Sequence, residues 1–208
     1  MANLNAIVIT GDIIGSTRLN TIKRKKLQNR LSSLLKKTSV QYTDVKAEQF
    51  RGDSLQFVFT KSKTAALRTA LSIYCFLAIN HFKIRQSIGV GEISFSSKNV
   101  VTSDGSAFRI SGENIDVLKK RNELINVAFA HEPFNEEWRA HCASLNFLLQ
   151  RLSIAQAEAL YLQLQNTKQE EIAKKLRISQ PSVHQRLQAA GWSVINPILQ
   201  RFETVTAV

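Results

Sequence analysis

Ala6-Ile7-Val8-Ile9-Thr10-Gly11-Asp12 decides how the first half of the chain is read. Ile7, Val8 and Ile9 are β-branched in succession, which suits a buried strand, and Gly11-Asp12 ends the run in a turn. Working outward, Arg18 to Lys37 places Leu27, Leu31, Leu34 and Leu35 at helical spacing. Asp44 to Phe50 and Ser54 to Thr60 alternate with a period of two, Val45, Ala47 and Gln49 against Leu55, Phe57 and Phe59, and meet at Arg51-Gly52-Asp53. Thr64 to Phe82 reads as an apolar helix and Ile84 to Phe95 as a strand carrying Gly89 and Gly91. A polar loop comes next over 96–105, then a helix from Phe108 to Lys120 and a strand from Leu124 to Ala130. This order is a βαββαβ unit with an extension, the ferredoxin-like or palm topology. Pro133 and Asn135 open a helix from Glu136 to Arg151 that links this unit to the C-terminal part of the chain.

Charge bears on partners. Lys plus Arg is 28 against 16 Asp plus Glu, a formal charge of +12. Such an excess favours a polyanionic partner, because lysine and arginine release counterions from phosphates; a solvated basic surface is the alternative reading. Much of the excess lies on the helix at 18–37, which holds Arg18, Lys23, Arg24, Lys25, Lys26, Arg30, Lys36 and Lys37 and no acid. Cys75 and Cys142 have no motif spacing, so neither a disulfide framework nor a zinc site is expected. His81, His131, His141 and His184 form no ligand pattern either. No basic segment with a long apolar run begins the sequence, and no run approaches the ~20 apolar residues that span a bilayer. A cytoplasmic protein without membrane contact is the expectation.

The C-terminal part has its own logic. Ser153 to Gln165 is helical, Thr167 and Glu170 are spaced as a capping box for a short helix over Lys168 to Leu176, and Arg177-Ile178 makes a tight turn. Ser179 caps the next helix, with Pro181 in its first turn. Ala173 allows close approach of the two helices, and Ile172, Leu176, Ile178, Val183 and Leu187 face each other. The outer side of the second helix then carries Gln180, Ser182, His184, Gln185 and Gln188, with Arg186 at its flank. Amides and hydroxyls read base edges in a major groove, while Lys168, Lys174, Lys175 and Arg186 suit phosphates. A helical hairpin used only for packing or dimerisation is the alternative. The stretch Thr167 to Leu187 resembles the helix-turn-helix of sigma-factor region 4 and LuxR-type regulators, departing at Arg177, where that pattern has glycine.

Two acids stand at turns. Asp12 comes after the first strand and Asp53 sits in the hairpin turn, and a βαββ topology brings these strand ends together. Convergent carboxylates suit Mg²⁺ or Mn²⁺ bridging to a phosphate, and the neighbouring glycines let a phosphate approach the backbone; two ordinary turn aspartates are the alternative. Asp12-Ile13-Ile14-Gly15-Ser16-Thr17 resembles the first metal-binding motif of class III nucleotidyl cyclases, and Phe50 to Phe59 resembles the second. The resemblance implies Asp12, Asp53 and the Ile13 carbonyl as metal ligands, with Gly15, Ser16, Thr17, Gln49, Gly52 and Arg109 at the nucleotide. It departs where cyclases place a ribose-orienting Asn and a transition-state Arg, near which stand Arg109 and Glu113, and at Gln49, which replaces an adenine-contacting Lys. The motif order is similar to the SatD-like family. That resemblance implies an α+β chain: a nucleotidyl cyclase-like palm domain over 1–132, a linking helix over 133–152 and an all-α helix-turn-helix domain over 153–208. The expected function is a dimeric regulator that binds double-stranded DNA and senses a nucleotide; a metal-dependent nucleotidyl cyclase or transferase is the alternative.

Overall fold

The computed structural model describes residues 4–50, 52–93 and 104–207. Positions 96–103 of the expected polar loop and residues 94 and 95 of the expected strand lie outside them. The elements run β1 (Leu4–Ile13), α1 (Thr21–Gln41), β2 (Lys46–Phe50), β3 (Ser54–Phe59), α2 (Ala66–Ile79), β4 (Ile84–Ile93), α3 (Ser106–Arg121) and β5 (Ile125–Phe129). They are succeeded by the helices α4 (Asn135–Arg151), α5 (Ile154–Leu164), α6 (Gln169–Leu176), α7 (Gln180–Ala189) and α8 (Trp192–Thr206). The sheet order is β2-β3-β1-β4-β5. Its first four strands are antiparallel neighbours in the ferredoxin-like order, and β5 joins β4 in parallel through α3.

β1 is buried on both faces, as its unbroken apolar run requires. Ile7 and Ile9 point into a core shared with Leu27 and Leu31 of α1 and Leu67 and Leu71 of α2. Ala6 and Val8 point the other way, onto Ala107 and Phe108 of α3. That second helix layer lies very close to the sheet. A Cβ on Gly89 would stand 2.3 Å from the Ala107 carbonyl oxygen, and one on Gly91 2.5 Å from Ser106 Oγ. Glycine at these positions is a packing requirement.

The main core does not stop at the expected boundary near 133–152. Trp138 and Leu145 of α4, Leu160 and Leu164 of α5, and Ile195 and Phe202 of α8 belong to the same cluster as Ile7. The expected separate all-α domain is therefore corrected: α5 and α8 are built onto the sheet-bearing half. The smaller cluster of Ala159, Ile172, Ala173, Val183 and Leu187 holds α6 and α7 on the far side of α5. The capping box is also displaced. Asn166 takes a left-handed φ of 57°, α6 begins with Lys168 as its N-cap, and the reciprocal cap is made instead by Ser153 and Gln156 on α5. Arg177 does occupy the left-handed position that ends α6, at φ 55° and ψ 45°, at a cost of roughly 1 kcal/mol against glycine. Both cysteines are buried, and burial pushes both thiols up, Cys142 to about 12. Among the described residues no helix is long and apolar enough to cross a membrane.

Two glycines separate packing from propensity. Gly89→Ala drives a methyl into the α3 backbone and is expected to destabilise by roughly 2–3 kcal/mol. Gly112, inside α3 with open space at its Cβ, is expected to gain about 0.5–1 kcal/mol as alanine. Thermal unfolding of the two variants should shift in opposite directions.

Candidate functional site

The end of β1 and the β2–β3 hairpin meet. Asp12 is in register with Ser54 on β3 and Arg85 on β4. The Ile13 amide donates to the Asp53 carbonyl at 3.1 Å, and the Ser16 hydroxyl donates to the Asp53 carboxylate. Gly15 and Gly52, both at positive φ (73° and 80°), turn the chain on either side of this junction. The topology thus gathers Asp12, Ile13, Ser16, Gly52 and Asp53, with Gly15 and Thr17 beside them.

Asp12 lies on the α3 side of β1 with Thr10, whose hydroxyl is 2.9 Å from Ser111 Oγ. Its carboxylate is 19% exposed and 3.6 Å from Lys119 Nζ near the end of α3. Burial pushes the Asp12 carboxyl above its ordinary value; Lys119 opposes this, the Asp53 charge adds to it, and Arg85 opposes it, and burial prevails. On the other side of the hairpin, Ser16, Thr17, Arg24, Gln28, Gly52 and Asp53 border a cleft of about 210 Å³.

Two expected nucleotide contacts are placed differently. The Gln49 amide donates to the Gly52 carbonyl at 2.6 Å and to Gln28 Oε1 at 2.7 Å, so it closes the hairpin. Arg109 pairs with Asp104 at 3.2 Å at the start of α3. Lys119, which does reach Asp12, lies ten residues further along that helix, about 15 Å at 1.5 Å per residue. Arg109 is therefore not brought to the carboxylates. Sequence reasoning does not single out Lys119 or Gln28, and it counts Arg24 only among the cations of α1. Lys119 is legible only through helical phase, since Ser111, Ile115 and Leu118 fix which side of α3 meets the sheet.

Among the described residues no three His, Cys, Asp or Glu side chains converge as a metal cage. Two carboxylates and hydroxyl oxygens are hard donors that suit Mg²⁺ or Mn²⁺ only when phosphate or water completes the shell. Asp12, the Ile13 carbonyl and Asp53 are the groups that would hold such an ion, and the Lys119 ammonium 3.6 Å from Asp12 would compete with it.

The second candidate surface is α7. Val183 and Leu187 are buried beneath it, whereas Gln180, His184, Gln185 and Gln188 are exposed. Gln169 of α6 joins Gln180, His184 and Gln185 around one shallow hollow. Lys168, Lys174 and Lys175 are exposed nearby on α6, as are Glu170 and Glu171. Ser182 is half-buried and bonded to the Ser179 hydroxyl at 2.8 Å. Arg186 departs from its expected place on a phosphate: it turns back to α5, 3.6 Å from Glu158 and 3.5 Å from the Ala155 carbonyl. The buried side of α7 leaves Arg186 beside an acid on the helix beneath it.

The SatD family model matches residues 6–200. The chain belongs to the SatD family. No curated protein compared with it matches. Solved structures with similarity include a bacterial light-regulated adenylyl cyclase, 18% identical with a TM-score of 0.49, covering 61% of this chain and 77% of that one. The adenylyl cyclase CyaB from P. aeruginosa is 16% identical at a TM-score of 0.49, covering 64% and 79%. A class III adenylyl cyclase-like ATP-binding protein from Pseudomonas aeruginosa is 11% identical at 0.40, covering 79% of this chain and 43% of that one.

The direction of the Asp12 shift has a thermodynamic consequence. A carboxyl raised in the folded state costs stability wherever it is ionised, and the cost vanishes at pH below its unfolded value. Asp12→Asn should raise the melting temperature at pH 7, and the difference should shrink as pH falls toward about 4 and be gone below it. Melting curves of both proteins across pH 3–8 check this.

Proposed function

We propose that this SatD-family protein is a regulator that binds double-stranded DNA through α7 and a nucleotide phosphate, with Mg²⁺ or Mn²⁺, at the Asp12–Asp53 edge. One observation carries the DNA reading: the exposed row Gln180, His184, Gln185 and Gln188 stands on a helix held from beneath by Val183 and Leu187. Glutamine offers paired amide donor and acceptor groups to adenine in the major groove, and the first turns of a recognition helix are where base contacts concentrate. Lys168, Lys174 and Lys175 flank that row and supply phosphate contacts, whereas Arg186 serves α5. A homodimer, engaging two half-sites, is the form in which such a module gains affinity. The cytoplasm is the compartment this reading requires.

A second reading is favoured by the carboxylate edge: a metal-dependent nucleotidyl cyclase or nucleotidyl-transfer enzyme. Asp12 and Asp53 would hold the cation, which supplies charge stabilisation at a phosphoryl group. Ser16 orients Asp53 through its hydrogen bond. Arg109 stands too far along α3 to neutralise charge there, which weighs toward binding rather than turnover.

The two readings separate experimentally. Selection of duplexes from a random pool should enrich a sequence that the protein prefers, and Gln180→Ala with Gln185→Ala should reduce that preference at least about thirtyfold, from roughly 1–3 kcal/mol for each of the two lost base contacts. Absence of duplex binding at low salt would remove the DNA reading. Incubation with nucleoside triphosphate and Mn²⁺, with chromatography of the products, tests the enzyme. Product formed by the unaltered chain and abolished by Asp53→Asn would establish it, and unchanged nucleotide would exclude it.

A further inference from the structure

The proposed DNA reading gives α1 no task, although α1 is the most cationic element described. Its sequence contains Lys23, Arg24, Lys25, Lys26, Arg30, Lys36 and Lys37 and no acid. All seven side chains are exposed. Among the described residues none of them pairs with a carboxylate. Lys37 alone has a protein partner, the Tyr161 hydroxyl of α5 at 2.7 Å, with its ammonium also 4.9 Å from the ring centroid. Like charges three and four apart on a helix repel, so this composition works against the helix unless an anion relieves it.

The rotation of α1 is fixed by its buried residues Leu27, Leu31, Leu34 and Thr38. At about 100° per residue, Lys23, Lys26, Arg30 and Lys37 then fall within roughly 60° of one another along one edge of the helix. From Lys23 to Lys37 the rise is about 21 Å. A DNA strand carries one phosphate per about 3.4 Å of duplex axis, so the row spans about six phosphates. Its far end is pinned at Tyr161, on the helix that also supports α7. The outermost side of α1 carries Lys25, Asn29, Ser33 and Lys36 beside the exposed Ile22 and Val40, so it has no continuous apolar stripe of the kind that enters a membrane surface.

We infer that the Lys23–Lys26–Arg30–Lys37 edge of α1 is a second nucleic-acid surface that contacts the duplex phosphate backbone without reading sequence. The inference rests on the proposal that the partner is duplex DNA.

The test is the salt dependence of duplex binding by the full chain. Each neutralised phosphate contributes about 0.9 to the slope of log affinity against log salt. Lys23→Gln, Lys26→Gln and Arg30→Gln combined in one chain should lower the magnitude of that slope by about 2–3, weaken binding at least tenfold at about 0.1 M salt, and leave the preference between duplex sequences unchanged. Gln180→Ala with Gln185→Ala should do the reverse, losing preference and keeping the slope. An unchanged slope in a triple variant with an unaltered circular dichroism spectrum overturns the α1 inference and leaves the α7 reading standing. No duplex binding by the unaltered chain overturns both. Loss of binding to vesicles containing phosphatidylserine, with duplex binding untouched, also overturns it by assigning the edge to a membrane surface.

Discussion

The close seat of α3 on β4 governs most of what surrounds the carboxylate edge. Gly89 and Gly91 let the helix backbone approach the strand where a Cβ would collide with it. That approach brings Ser111 within hydrogen-bonding distance of Thr10 and sets the phase of the helix. Lys119 then arrives over the end of β1, two turns further on. The environment of Asp12 is therefore set by packing three turns away from it, and a helix displaced by even ~1 Å at Gly89 would carry the ammonium away from the carboxylate.

A second dependence runs through α5. One side of this helix, with Ala157, Leu160 and Leu164, belongs to the main core, and the other, with Ala159, belongs to the cluster beneath α6 and α7. Tertiary bonds tie the neighbouring helices to the sheet-bearing half: Tyr74 to the Leu149 carbonyl at 2.8 Å, Arg68 to Glu203 at 2.9 Å and Arg201 to Glu137 at 2.7 Å. The hydrogen bond from Arg201, helped by one from His141, holds the Glu137 carboxyl down at about 2 against the opposing effect of burial. A body packed on both sides does not deform continuously, so α5 transmits a shift between the two halves only by moving as a unit. Because α5 contributes to both clusters, the separability of the helical half is a matter of exposing Leu160, Leu164 and Phe202 to water.

The strands and helices are legible because their signals are local. Period-two alternation places β2 and β3, helical spacing places α1, and a tight turn at Arg177-Ile178 ends α6 even though Arg replaces the expected glycine. That the end of β1 meets the β2–β3 turn is legible from topology alone. The misplaced features all depend on tertiary phase. Thr167 looks like a cap because its spacing to Glu170 is right, but Asn166 in a left-handed conformation moves the helix start by one residue. Resemblance to a motif puts Gln49 and Arg109 at a nucleotide, and each instead finds a nearer partner in this chain, the Gly52 carbonyl and Asp104. A flank position leaves the direction of Arg186 open, and Glu158 on a different element draws it back toward α5. Lys119 is invisible for the same reason: only the seating of α3 says which of its several basic residues meets the sheet.

Electrostatics at the carboxylate edge then favours a ligand that brings its own negative charge together with a cation. Asp12 is partly buried and faces both Asp53 and Lys119. A bare divalent ion would have to displace or approach the ammonium, which repels it. A phosphate alone would meet two carboxylates, which repel it in turn. A cation already carried on a phosphate would meet the opposite sign at each partner: Asp12 and Asp53 are the residues that would hold the metal, and Lys119 and, across the hairpin, Arg24 those that would meet the phosphate. On the proposed nucleotide reading, the mixed signs of this edge would suit a metal–phosphate complex better than either component alone.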